Sequence, residues 1–374
     1  MRNISFLCTL TLLLLMGNRS FAQDFSNKGK EFWLVFPSHL PSSGLANMAL
    51  FITSDKNSKG TISVNGFSTS FTVTANQIAG PIAIPYASAY VLDAESGFVV
   101  NKGIHVLVDA GQPPVVVFAH IYAGFRSEAS LILPVVTLGK KYFSTNYWQA
   151  STGGSKSQFQ IIATEINTVV QYQLRRNGVL DPTIITATLN NPGDVLQVQD
   201  PLDLTGSIIE SVASSSGSCK KIAVFSGSSS LAIGRAGCVP SSYDPLYQQC
   251  YPVNSWGKNF GIVPVANNTN GYHLRVTASE NNTTVNFNGS NVILNEGEYY
   301  PATTSSPVPY VGPMTISSDK PISVAQYLMS ANCSGSGNWP GQSNQYSQSR
   351  NDRYWRRRSE RMGTVCKTHA PRDR

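Results

Sequence analysis

Apolar residues come in short bursts along this chain: FWLVF at 32–36, NMALFITS at 47–54, GTISV at 60–64, FTVT at 71–74, GIHVLVD at 103–109 and PPVVVFAHIY at 113–122. Each burst is rich in β-branched and aromatic residues and is bounded by Gly, Pro, Asn or Ser, the pattern of strands joined by turns. No stretch of the body holds apolar residues at helical spacing between believable caps. In LILPVV at 131–136, Pro134 has no N–H to give to a ladder, so this run is an edge strand or a linker.

The bursts recur in blocks. GKEFWLVFP at 29–37 returns as GKKYFSTNY at 139–147 and as GKNFGIVPV at 257–265. After each opening phrase comes a strand, then a turn of one type: TSDKN at 53–57, ATEIN at 163–167 and ASENN at 278–282. A β-branched strand follows and ends in Asn-Gly, at Asn65-Gly66, Asn177-Gly178 and Asn288-Gly289. Both residues of that pair tolerate positive φ, which favours a tight type I′ hairpin. Each block closes on a strand pair: IHVLVD with PPVVVFAHIY, IIESVA with KKIAVFSGS, and the continuous MTISSDKPISVAQYL. Elements in one order at similar spacing indicate tandem duplication.

A block of this size with six or seven strands matches one antiparallel sandwich of the immunoglobulin-like kind. The expected fold is therefore all-β, three tandem antiparallel β-sandwich repeats, with a β-propeller of two blades per block as the alternative. The expected boundaries are 1–22 for a signal peptide, 23–135, 136–254 and 255–335 for the repeats, and 336–374 for a basic, disordered tail. The opening Phe or Tyr becomes a core anchor, and the Gly-Lys before it sits at a joint, five residues after Pro134 and Pro252.

Composition changes this picture only at the ends. The first residues carry Arg2, an apolar run from Phe6 to Met16, and Ser20 and Ala22 ahead of Gln23, a secretory signal. That run is shorter than the ~20 residues needed to span a bilayer, so no membrane insertion is expected after cleavage. The chain has a formal net charge of +7, but residues 344–374 hold nine Lys or Arg against three acids, and the rest is nearly neutral. Charge argues only for the segment that bears it, so the body is not a nucleic-acid binder. Only 13% of residues are charged, and Ser, Thr, Asn and Gln carry the solubility, which suits an extracellular β protein.

Apart from Cys8, the cysteines are Cys219, Cys238, Cys250, Cys333 and Cys366. The four in the body read as two disulfides with three possible connectivities. The preferred pairs are Cys238 with Cys250, closing GCVPSSYDPLYQQC, and Cys219 with Cys333. No CxxC or HxxxH spacing suggests a metal, and the acids at the repeated turns, Asp55, Glu165 and Glu280, lack the density of a calcium loop. No metal or cofactor is expected.

Catalytic signatures are also missing: no G-x-S-x-G elbow, HExxH, phosphate loop or G-x-G-x-x-G. His39, His105, His120 and His273 are scattered, although His105 and His120 could meet across a hairpin. Asp200 and Asp203 are the nearest thing to a paired carboxylate. Aromatics give the best hint of recognition: Tyr243, Tyr247, Tyr251 and Trp256 in SSYDPLYQQCYPVNSW are the candidate ligand-binding residues, against the alternative that they pack a joint.

Together GKEFWLVFP, FQIIATEINT, KKIAVFSGS, YPVNSWGKNF, ASENNTTV and SSDKPISVAQY resemble the N-terminal domain of IgG-Fc-binding proteins, over roughly residues 27 to 333. That domain occurs in a mucus glycoprotein and at the front of large bacterial surface proteins. The resemblance implies a noncatalytic secreted or cell-surface adhesion module whose partner is an extracellular protein or glycan. A secreted carbohydrate-active enzyme, or its accessory domain, is the alternative.

Overall fold

The computed structural model describes residues 26–40, 44–124, 126–149, 154–214, 217–265, 268–301 and 307–335, and the backbone of 346–349. The segment read from sequence as a signal peptide, and nearly all of the one read as a basic tail, lie outside these residues.

In the first repeat the strands are β1 (Glu31–Leu34), β2 (Asn47–Thr53), β3 (Ser58–Val64), β4 (Phe67–Val73), β5 (Ile78–Ala83), β6 (Val99–Asn101), β7 (Ile104–Val108), β8 (Val116–Ala123) and β9 (Arg126–Ile132). The second holds β10 (Lys141–Phe143), β11 (Ser157–Ala163), β12 (Thr168–Arg176), β13 (Val179–Leu189), β14 (Asp194–Asp200), β15 (Ile208–Val212), β16 (Ile222–Leu231) and β17 (Asp244–Gln249). The third holds β18 (Gly257–Ile262), β19 (His273–Ala278), β20 (Thr283–Phe287), β21 (Ser290–Leu294), β22 (Tyr299–Tyr300), β23 (Met314–Tyr327) and β24 (Tyr346–Ser349).

One pairing scheme serves all three repeats. The first repeat stacks a sheet ordered β1-β7-β3-β4 on one ordered β5-β2-β8-β9. The second repeats this as β10-β15-β12-β13 and β17-β16-β11-β14. In the third, β23 runs through the corner between the two sheets: its first half pairs with β18 and β20, its second with β19 and β24. All of these pairings are antiparallel, and neither barrel nor propeller closure occurs. The expected sandwiches are present, and the propeller alternative is not. Pairing also runs past residue 335, since β24 lies within the segment read from sequence as tail.

The repeated turns explain the repeated topology. Asn65, Asn177 and Asn288 have φ of 32°, 48° and 52°, and the following glycines 78°, 85° and 93°, the left-handed pair a type I′ hairpin needs. The opening aromatic is a core anchor each time: Phe32 and Tyr142 are fully buried and Phe260 nearly so. Gly29 and Gly139 are pressed so close to a proline that a Cβ would come within 2.1 Å of Pro134 and 2.4 Å of Pro252. Each of these prolines begins a single 3₁₀ turn, closed by Thr137 Oγ1 donating to Pro134 O at 2.9 Å and by Ser255 Oγ donating to Pro252 O at 2.7 Å. Both linkers thus have the same local geometry, so successive sandwiches join in the same way.

The repeats are fused rather than strung. β6, from the first repeat, adds to β14 as the last strand of the second repeat's sheet. The first repeat's core takes in Ile162, Val195, Ala223, Phe225 and Tyr247 from the second. Strands β11, β16 and β19 are buried along their whole length, because one face meets their own sandwich and the other meets the preceding repeat.

Candidate functional site

The candidate aromatics divide. Tyr247 is buried, donates its hydroxyl to Val35 O at 2.8 Å and stacks on Phe225 at 5.4 Å, so it fastens the second repeat to the first. Trp256 is buried against Phe143 and donates from Nε1 to Tyr251 O at 3.1 Å. Tyr251, half-buried, packs on the first core. Tyr243 alone of the four lies in the loop before β17 without joining a core; it is half-buried, with the Arg126 guanidinium 5.8 Å above its ring.

That loop is pinned from the third repeat. Cys238 is bonded to Cys333, not to Cys250, and this takes the partner expected for Cys219. Cys250 is instead a buried free thiol 3.0 Å from Ser226 Oγ, and burial pushes its pKa up to about 12. Asn332 reinforces the disulfide: its Nδ2 donates to Val239 O at 3.0 Å, and its Oδ1 accepts from Ser241 N at 3.0 Å. Val239, 87% exposed, stands at the tip. Such a loop presents apolar surface without having to become ordered on binding.

The carboxylates have structural tasks. Asp200 holds Arg176 at 2.6 Å, and Arg176 also holds Asp181 at 2.7 Å. Asp203, 0% exposed, holds Arg275, 2% exposed, at 2.8 Å across the joint between the second and third repeats. The pair therefore does not face one cleft. His105 rests on Trp33 and meets Glu31 at 3.1 Å, while His120 stacks on Tyr122 in the other sheet; the two histidines do not meet. His273 Nε2 contacts Gly234 O at 2.9 Å. Of the turn acids, Asp55 pairs with Lys28 at 3.0 Å, and the backbone carbonyls of Glu165 and Glu280 accept from Thr168 and Thr283.

Two joints between repeats use equivalent positions with different chemistry. At the first, the outward side of β11 and β14 presents Gln158, Gln160 and Gln197. Gln158 donates to Ser38 O at 2.8 Å, and Gln197 accepts from Ser38 N at 3.0 Å and from Gln160 at 3.1 Å. At the second, Arg275 takes the place of Gln160. It donates to Asn146 O at 2.8 Å and to Thr205 Oγ1, and lies over the rings of Tyr147 and Tyr299 at 4.9 and 4.6 Å. Burial pulls its pKa down, but the Asp203 carboxylate outweighs that and raises it. The alternating Gln residues in SQFQ and QVQD were the available sequence signal, since polar residues facing water and polar residues facing a repeat look alike.

A second buried polar group sits where β9 meets β17. Asp244 Oδ1 accepts from Ser127 N at 3.2 Å, Glu128 Oε1 accepts from Ala129 N at 3.2 Å, and Arg126 donates to Leu40 O at 2.6 Å. Burial raises Asp244 to about 6 and puts Glu128 well above the usual carboxylate range, with the Asp244 charge adding to the latter. Burial and Arg126 lower His39 to about 4. Below pH 3.8 Asp244 is protonated whether folded or not. As pH climbs to about 6 the unfolded chain releases its proton first and stability falls, by about 3 kcal/mol in all. His39 acts oppositely over much the same range, losing stability as pH falls from 6.5 towards 4. Asp244→Asn should therefore raise the urea midpoint at pH 8, with the gain shrinking to nothing near pH 3.5. A gain independent of pH would contradict the assignment.

A family model described as IgGFc binding protein matches residues 128–354. The chain belongs to this family. No curated protein and no solved structure matches. The IgGFc-binding match begins inside β9, not at residue 27, and runs through the second and third repeats to beyond β24. Most of the first repeat lies outside it yet has the same strand order. The pinned loop around Cys238 and the joint around Arg275 both fall within the matched stretch.

Proposed function

We infer that this member of the IgGFc-binding family is a noncatalytic binding module that acts outside the cell, secreted or at a cell surface, in the manner of the bacterial surface proteins it resembles. Family membership over residues 128–354 carries the reading. The signal-like N-terminus agrees with it, as does a disulfide, a bond that persists in oxidising compartments. The ligand class is an extracellular protein or its glycans. The pinned loop, with Val239 at its tip and Tyr243 at its base, is the recognition surface, because an aromatic on a preorganised loop gives contact area at small entropic cost.

Immobilised full-length chain should retain a partner from a panel comprising immunoglobulin Fc and glycoproteins before and after deglycosylation. Tyr243→Ala should weaken that retention by about 30-fold or more if Tyr243 is a hot spot. Retention unchanged by Tyr243→Ala and Val239→Ser would remove the loop from the reading. Hydrolysis of any offered glycan would replace the binding module with a carbohydrate-active enzyme.

A further inference from the structure

Within this molecule, the sheet that pairs β2 with β8, and its equivalents pairing β11 with β16 and β19 with β23, is a docking face. In the second repeat its outward pair is Gln160 opposite Phe225, and the first repeat covers it: Phe36 and Phe225 both contact Tyr247. In the third repeat the equivalent pair is Arg275 opposite Ala325, and the second repeat covers it: Tyr147 and Leu231 share a core with Ala325 and Tyr327. The first repeat has the same sheet with Phe51 opposite Phe118, and no repeat precedes it among the described residues. Phe118 is 41% and Tyr122 39% exposed. His120 lies between them, stacked on Tyr122 at 4.9 Å and 6.3 Å from Phe51. No charged side chain stands on the outward side of β2 or β8. Contiguous apolar surface of this kind marks an interaction site.

The part of a repeat that sits on such a face is equally well defined. It is the segment after the first strand together with the loop after the fifth. The first repeat offers Val35 O to Tyr247, Ser38 to Gln197 and Leu40 N to Ser229 O. The second offers Asn146 O to both Arg275 and Tyr327, and Asp203 to Arg275. In the third repeat the corresponding places carry Val263 and, beyond β22, Val308 and Val311, which are 71%, 76% and 70% exposed. Among the described residues, therefore, the first repeat has a docking face that nothing covers, and the third has the element that covers such faces, apolar and exposed.

We propose that the uncovered sheet face of the first repeat receives the third-repeat end of a second copy of this chain. The joint that links repeats within one chain would then continue between chains. The two surfaces differ, so the interface is heterologous and builds a line of molecules, or a ring where the rotation closes.

Sedimentation velocity of the full secreted chain tests this over a range of micromolar concentrations. The wild type should form dimers and longer species as concentration rises. Phe118→Glu and Val311→Glu, at opposite ends, should each weaken self-association by about 30-fold or more. An equimolar mixture of the two variants retains one intact face and one intact end, so it should recover a dimer and stop there. Both side chains are exposed, so unchanged melting temperatures would show that folding is intact; Tyr122→Glu serves in place of Phe118→Glu if that variant fails this check. The proposal is overturned by a wild type that stays monomeric throughout, as when another segment of the chain covers the face. It is also overturned if Phe118→Glu abolishes association while Val311→Glu leaves it untouched, which is the pattern of two first repeats meeting face to face.

Discussion

Arg275→Met, with Asp203 left in place, should destabilise the chain by about 3–5 kcal/mol in urea unfolding. The variant leaves a carboxylate that is 0% exposed without its cation. Asp203 keeps the Thr205 amide and hydroxyl, at 3.0 and 2.7 Å, but these cannot offset a buried charge. The loss falls on the contact between the second and third repeats, so unfolding should split into two transitions with the third repeat melting first. The first joint supplies the control. There the place of Arg275 is held by Gln160, bonded to Gln197 at 3.1 Å, and the contact is neutral. The double variant Arg275→Gln, Asp203→Asn imitates that arrangement and should recover most of the loss, since a neutral amide pair avoids the desolvation cost of two ions. A single-variant loss below about 1 kcal/mol, the scale of an exposed ion pair, would mean that water reaches the joint.

This ion pair also marks the limit of what the sequence discloses. Strand existence and the repeat were legible because alternation and Asn-Gly turns are local: Asn177-Gly178 gives its hairpin whatever lies around it. Which face of a strand meets water was not. In SQFQIIA the glutamines alternate with apolar residues as if solvated, yet all of β11 is buried, because the preceding repeat covers the polar side and bonds it. The same ambiguity placed Tyr247 among candidate ligand residues, when its hydroxyl belongs to Val35 O. β6 gave no periodic signal in three residues, and its partner β14 lies in the next repeat. The cysteines failed for a related reason. A preference for the short loop selects Cys238 with Cys250, but β17 turns Cys250 into the second core, while the segment after β23 brings Cys333 to Cys238.

Removing that bond should cost about 2–5 kcal/mol, the second largest loss expected. The two cysteines are 95 residues apart in sequence, so in the chain-entropy account the cross-link removes far more freedom from the unfolded chain than the short loop to Cys250 would. Cys238→Ala with Cys333→Ala isolates this contribution and adds no unpaired thiol to the buried one already at Cys250. Measured without reductant, which would also break the disulfide at Cys219, its urea midpoint should fall below that of the wild-type chain by the corresponding amount, and an unchanged midpoint would mean that the bond adds no stability. The native contacts of the loop predict a second effect. Asn332 still donates to Val239 O and accepts from Ser241 N in the variant, so amide exchange at Ser241 should quicken by less than at residues whose only tie to the third repeat is the disulfide. Equal quickening across residues 236–243 would show that the disulfide alone orders the loop, and binding that depends on Tyr243 should then be lost with it.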